Sequence, residues 1–142
     1  MKIPTWDKAL MEYIEAQRHK PFVWAEHDCV SFVRGACEAQ LGVDPFIGQV
    51  PSYKTLKGGK GAYTRLNKRQ VFYQTVLNRV LTRCEAVLPP RGSIVARQTE
   101  GGAAEVFGAA LGVVVSRHVA FVGESGLEFL PVSKNDEAWL VE

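Results

Sequence analysis

Two kinds of hydrophobic spacing divide this chain. The early segments carry apolar residues at helical intervals, and the later ones carry short β-branched runs between turns. Trp6, Leu10, Tyr13 and Ile14, with Gln17, form one stripe behind Thr5, a predicted N-cap. That stripe ends at Arg18-His19-Lys20, where cations suit a helix C-terminus, and Pro21 stops the helix. An extended entry follows, Pro21-Phe22-Val23-Trp24, then a short turn. A second helix is expected to open at Asp28-Cys29, with Asp28 as N-cap and Gly42 at the C′ position. Cys29, Phe32, Val33, Ala36 and Cys37 share one face of it, which marks that face as core. A third amphipathic helix is predicted behind Asn67, with Val71, Tyr73, Val76, Leu77, Val80, Leu81 and Cys84 inward.

At Pro89-Pro90 the pattern changes to strands. Five are expected: Ser93 to Gln98, Ala110 to Ser116, His118 to Val122, Leu127 to Val132 and Ala138 to Val141. Helices followed by an antiparallel sheet indicate an α+β fold, with N-terminal helices packed on a C-terminal sheet. The expected organisation is a single domain, 1-142, in which residues 1-88 are the helical region and residues 89-142 the sheet region.

Composition narrows the classes. The chain has 142 residues, 46% of them hydrophobic and 23% charged, which fits an ordinary globular domain. Its net charge of +2 names no partner. The charge is uneven, since Lys54 to Arg83 holds eight basic residues and no acidic one. A solvated helix face is the plain reading, and no nucleic-acid recognition motif accompanies the segment. Gly58-Gly59-Lys60-Gly61 fails as a phosphate loop, because Gly61 stands where Ser or Thr is required and no strand precedes it. Ser52 to Lys57 is read as one short helical turn. The 3 cysteines, without a C-x-x-C pair, argue against a disulfide framework and a zinc site; no metal or cofactor is expected. The longest apolar run, Phe107 to Val115, is too short to span a bilayer. Met1 to Thr5 leads directly into the first helix, so no signal peptide is expected.

The candidate chemistry centres on Cys29. A thiol in the first turn of a helix feels the positive end of the dipole, which favours the thiolate. The competing reading is a small buried hydrophobe on the core face. The surrounding string resembles the NlpC/P60 group of papain-like cysteine peptidases. Pro21, Phe22 and Trp24 match the family's entry, Asp28-Cys29 its Asp-Cys pair, Phe32 and Val33 its apolar pair, and Gly42 its helix end. Ser31 sits one place later than the usual Ser. The compact spacing looks most like an NlpC/P60-like family encoded by tailed phages beside tail-tip or baseplate genes.

The resemblance implies a papain-like fold and, in active members, a histidine base on the sheet. Arg91-Gly92-Ser93-Ile94-Val95 matches the element that opens that sheet, with Ser93 replacing the usual Asp. The base-bearing element aligns with Ala109-Ala110-Leu111-Gly112-Val113, which puts Ala110 at the histidine position. The polar group that orients the base falls in Phe129-Leu130-Pro131 and is missing. Of the 3 histidines, His19 ends the first helix, His27 precedes Cys29 by two residues, and His118 heads a strand. If the protein is active, Cys29 with His118 or His27 would carry catalysis. Trp24 would wall a substrate cleft or, more plainly, pack against the Cys29 helix.

Two functional readings follow. In the first, the domain is a catalytically degenerate NlpC/P60-like module of a phage tail tip or baseplate. Its partners are then other tail proteins, met through an aromatic and basic segment from Val50 to Arg69. It would be made in the host cytoplasm and carried in the virion tail. In the second, it is a cysteine peptidase or amidase that cuts peptidoglycan stem peptides during DNA entry.

Overall fold

The computed structural model describes residues 1–24, 26–50, 72–99 and 108–142. Among them are helices α1 (Trp6–Gln17), α2 (Cys29–Leu41) and α3 (Phe72–Val80). The strands are β1 (Thr82–Cys84), β2 (Ile94–Arg97), β3 (Ala110–Val115), β4 (His118–Val122), β5 (Leu127–Pro131) and β6 (Glu137–Leu140). The strands form one sheet in the order β1-β6-β2-β3-β4-β5, and every pairing is antiparallel. The architecture is α+β, as the hydrophobic pattern predicts.

Helix α2 sits at the centre. It packs on β3 and β4 with one side, and α1 lies along it. Gly35 permits that approach, because a β-carbon there would collide with the Tyr13 hydroxyl of α1. Tyr13 uses the space to donate to the Phe32 carbonyl at 2.9 Å. The helix ends as expected, at Gly42 with φ of 81°, a left-handed conformation that glycine adopts without steric cost.

The sheet is buried on both faces at its middle. Ile94, Ala96, Leu111, Val113 and Ala120 join Leu10, Phe32, Val33, Ala36, Cys37 and Leu77 on the helical side. Val95, Val114, Val119, Phe121 and Ala138 form a second cluster on the other side. This is why β2 and β3 read as continuous apolar runs rather than as alternations.

Three expectations need correction. The third helix stops at Val80, so Cys84 is not helical; it lies on β1, half-buried against the second cluster. Here pairing overrides periodicity: Thr82, Arg83 and Cys84 register with Leu140, Trp139 and Ala138 of β6. The sheet therefore begins at Thr82, inside the region read as helical. Thr5 flanks α1 at the N-cap position but makes no side-chain cap bond. The readings on Ser52 to Lys57, Gly58 to Gly61, the Asn67 cap and most of the Val50–Arg69 surface lie outside the described residues.

Candidate functional site

The site is built by the entry to α2. Val23 and His27 form an antiparallel bridge, with the His27 amide donating to the Val23 carbonyl at 2.7 Å and the Val23 amide returning to the His27 carbonyl at 3.1 Å. Trp24 lies within this turn, half-buried against the core, and its ring meets Phe22 edge-on at 4.9 Å. Asp28 then leaves the chain extended, at φ −107° and ψ −178°, and caps the helix. Its carboxylate accepts from the Ser31 amide at 2.9 Å, and the Ser31 hydroxyl accepts from the Asp28 amide at 2.8 Å. This reciprocal box explains the position of Ser31, which stands where a capping residue at the third helical place must stand.

Cys29 follows in the first turn and is 4% exposed. Burial pushes its thiol up to about 12. A backbone hydrogen bond from Leu111 and those of Cys29 and Val30 favour the thiolate, while the charge on Asp28 opposes it. Desolvation outweighs the helix dipole, so the sulfur rests as a neutral thiol at pH 7.

The histidines are arranged differently from one another. His27 is 5% exposed, with its ring edge-on to Phe32 at a centroid distance of 6.1 Å. Its Nε2 is buried and has no hydrogen-bond partner among the described residues. Burial lowers its pKa, Lys20 lowers it further, and Asp28 acts in the other direction. His118 is exposed at the head of β4, opposite Val115 and Pro131. The Cys29 thiol meets the backbone at Leu111, near the other end of β3. Leu111 and Val115 lie four strand steps apart, roughly 13 Å at the usual rise. Cys29 and His118 are thus held at opposite ends of one hairpin. His19 is exposed beyond α1.

At the aligned position, neighbouring residues fall on different faces of the sheet. Ala110 packs with the cluster on the side away from α2, whereas Ala109 is fully buried in the cluster that holds Cys29. Strand alternation carries that information, but the reading needs the strand start fixed to the residue. Either position supplies a methyl group and no base. At the other expected position, Phe129 pairs with Ala120 and Leu130 is exposed.

Sequence reasoning missed a second polar cluster, at the far end of α2. Gln40, fully buried, donates through Nε2 to the Ala36 carbonyl at 3.2 Å and to the Gly92 carbonyl at 3.0 Å. The hydroxyl of Ser93, next to Gly92, is buried and has no partner among the described residues. A groove of about 870 Å³ opens nearby, lined by Lys2, Trp6, Pro90, Ser93 and Val141 among others. Neither Cys29 nor any histidine lines it. Among the described residues no three His, Cys, Asp or Glu side chains gather as metal ligands, and no helix is long and apolar enough to cross a membrane.

The family model for DUF6950, a domain of unknown function, matches residues 1–141, and the chain belongs to that family. No curated protein and no solved structure matches it.

Proposed function

We propose that this DUF6950 domain is a non-hydrolytic module with an NlpC/P60-like, papain-type layout. In this reading it serves as a structural or assembly component of a phage tail tip or baseplate. The observation that carries the non-hydrolytic reading is the state of Cys29. Its thiol is buried and held neutral by that burial, and the groups that act on it are the Leu111, Cys29 and Val30 backbone and the Asp28 charge, not an imidazole. A cysteine nucleophile needs a base within hydrogen-bond reach and a route for substrate. The tail association rests on the resemblance of the Pro21–Gly42 string. The partners would be other tail proteins.

One observation favours the second reading, a cysteine peptidase or amidase acting on peptidoglycan stem peptides. The Leu111 backbone and the first-turn amides reach the sulfur and would steady a thiolate if the site opened. Alkylation of each cysteine against pH, read by peptide mass, decides between them. The expected result is that Cys29 labels only when the protein unfolds, and that Cys29→Ala retains the fold and leaves muropeptides uncut as before. Rapid labelling with an apparent pKa well below about 8.5, together with muropeptide cleavage that Cys29→Ala abolishes, would establish the enzyme instead.

A further inference from the structure

The turn that precedes Cys29 contains a buried polar atom for which the described residues supply no partner. His27 is nine-tenths buried, yet among the described residues no acceptor or donor stands opposite its Nε2. A neutral imidazole tolerates this if the bare nitrogen is Nε2 and the proton sits on Nδ1. A second proton must go to Nε2, where it would be a buried, charged donor with nothing to accept it.

The surroundings add to that cost. From the segment after α1, Lys20 brings a positive charge toward the ring. From α2 the ring meets the apolar edge of Phe32, which is itself stacked on Tyr13 of α1. The nearby carboxylate, Asp28, is engaged by the amide and hydroxyl of Ser31. Glu26, in the same turn, is exposed. The backbone at His27 is held in a short turn, closed by the Glu26 and His27 amides on the Val23 carbonyl and by the Val23 amide on the His27 carbonyl. Opening it breaks these three backbone bonds and frees Trp24 from the core, a local event that leaves the sheet paired.

We infer that His27 is an acid-sensitive latch on the entry to α2: neutral, it keeps the turn before Cys29 closed, and protonated, it releases the turn to solvent. The lowered pKa of the imidazole agrees in direction with this arrangement. The latch would regulate access to the first turn of α2 whether that turn serves a partner protein or a substrate. It therefore stands apart from the proposal on hydrolysis.

Amide hydrogen exchange by mass spectrometry tests it on the whole chain. Peptides covering 20–33 and 110–122 are compared at pH 7.5 and pH 5.0, after correction for intrinsic exchange rates. Protection of 20–33 should fall roughly tenfold in acid while 110–122 holds, because the opening is local. His27→Phe, which fills the site and cannot titrate, should keep 20–33 protected at both pH values. Unchanged protection of 20–33 in the unmodified protein overturns the latch, whatever the variant does. An equal loss in both peptides, or a loss that persists in a folded His27→Phe or His27→Gln, overturns it as well.

Discussion

The two ends of α2 bury polar groups in opposite ways. At the N-terminal end, Asp28 and Ser31 satisfy each other across three residues. At the C-terminal end, Gln40 reaches a carbonyl 52 residues away, at Gly92. The first arrangement is a closed local circuit, and it places Cys29 without needing any other segment of the chain. The second ties the helix to the head of the sheet and fixes where α2 lies on β3. A helix can thus carry its own start signal, while its seat depends on a contact the local chain does not encode. The buried Cys29 is a product of both: the cap puts it in the first turn, and the seat brings it to the Leu111 backbone.

The largest effect is expected at the distant tie. Gly92 has φ of 90°, and a β-carbon there would collide with the Gln40 side-chain oxygen. Gly92→Ala should strain the backbone and expel Gln40, costing about 3 kcal/mol. Urea denaturation should show a lower midpoint with an unchanged slope. A loss under about 0.5 kcal/mol would mean that the Gln40 tie does not seat the helix.

The local circuit should matter less. Asp28→Ala should cost about 1–2 kcal/mol, the usual range for a lost cap. Ser31→Ala should cost somewhat less, and the double variant should lose less than the sum, because each residue serves the other. Thermal melts of the three variants measure this coupling, and simple additivity would show that the box is not a unit.

The smallest effect is the pH dependence from His27. Its folded pKa is lowered, so the unfolded chain binds more protons below the ordinary value of about 6.5. Stability should therefore be full above that value and decline as pH falls through the folded pKa, with a slope below about 1.4 kcal/mol per pH unit for one proton. His27→Gln should flatten this region of the curve. A slope equal in both proteins would assign the acid sensitivity to the carboxylates instead.

Much of the local structure was legible. Asp28 and Gly42 bracket α2 as their chemistry requires, and the strand from His118 to Val122 matches the reading residue for residue. Cys84 shows where legibility ended: its spacing continues a helical stripe, yet the edge of β6 takes Thr82–Cys84 as a strand. The candidate site was only half legible. The Asp28–Cys29 pair announced itself, but whether dipole or burial governs the thiol depends on how closely β3 approaches. His118 heads a strand, as expected, but at the opposite end of the hairpin from the Leu111 backbone that meets the sulfur.

The sequence alone determined the elements whose signals lie within a few residues: the capped α2, the cysteine in its first turn and the strand runs. Tertiary structure alone decided that the β3 backbone at Leu111 meets the buried Cys29, that His118 stands at the other end of the hairpin and that Gln40 grips Gly92. The reason is range. Caps and turns are closed by bonds between near neighbours, whereas sheet register and helix seating are set by contacts between distant segments, whose cost is loop closure and whose gain is shared burial.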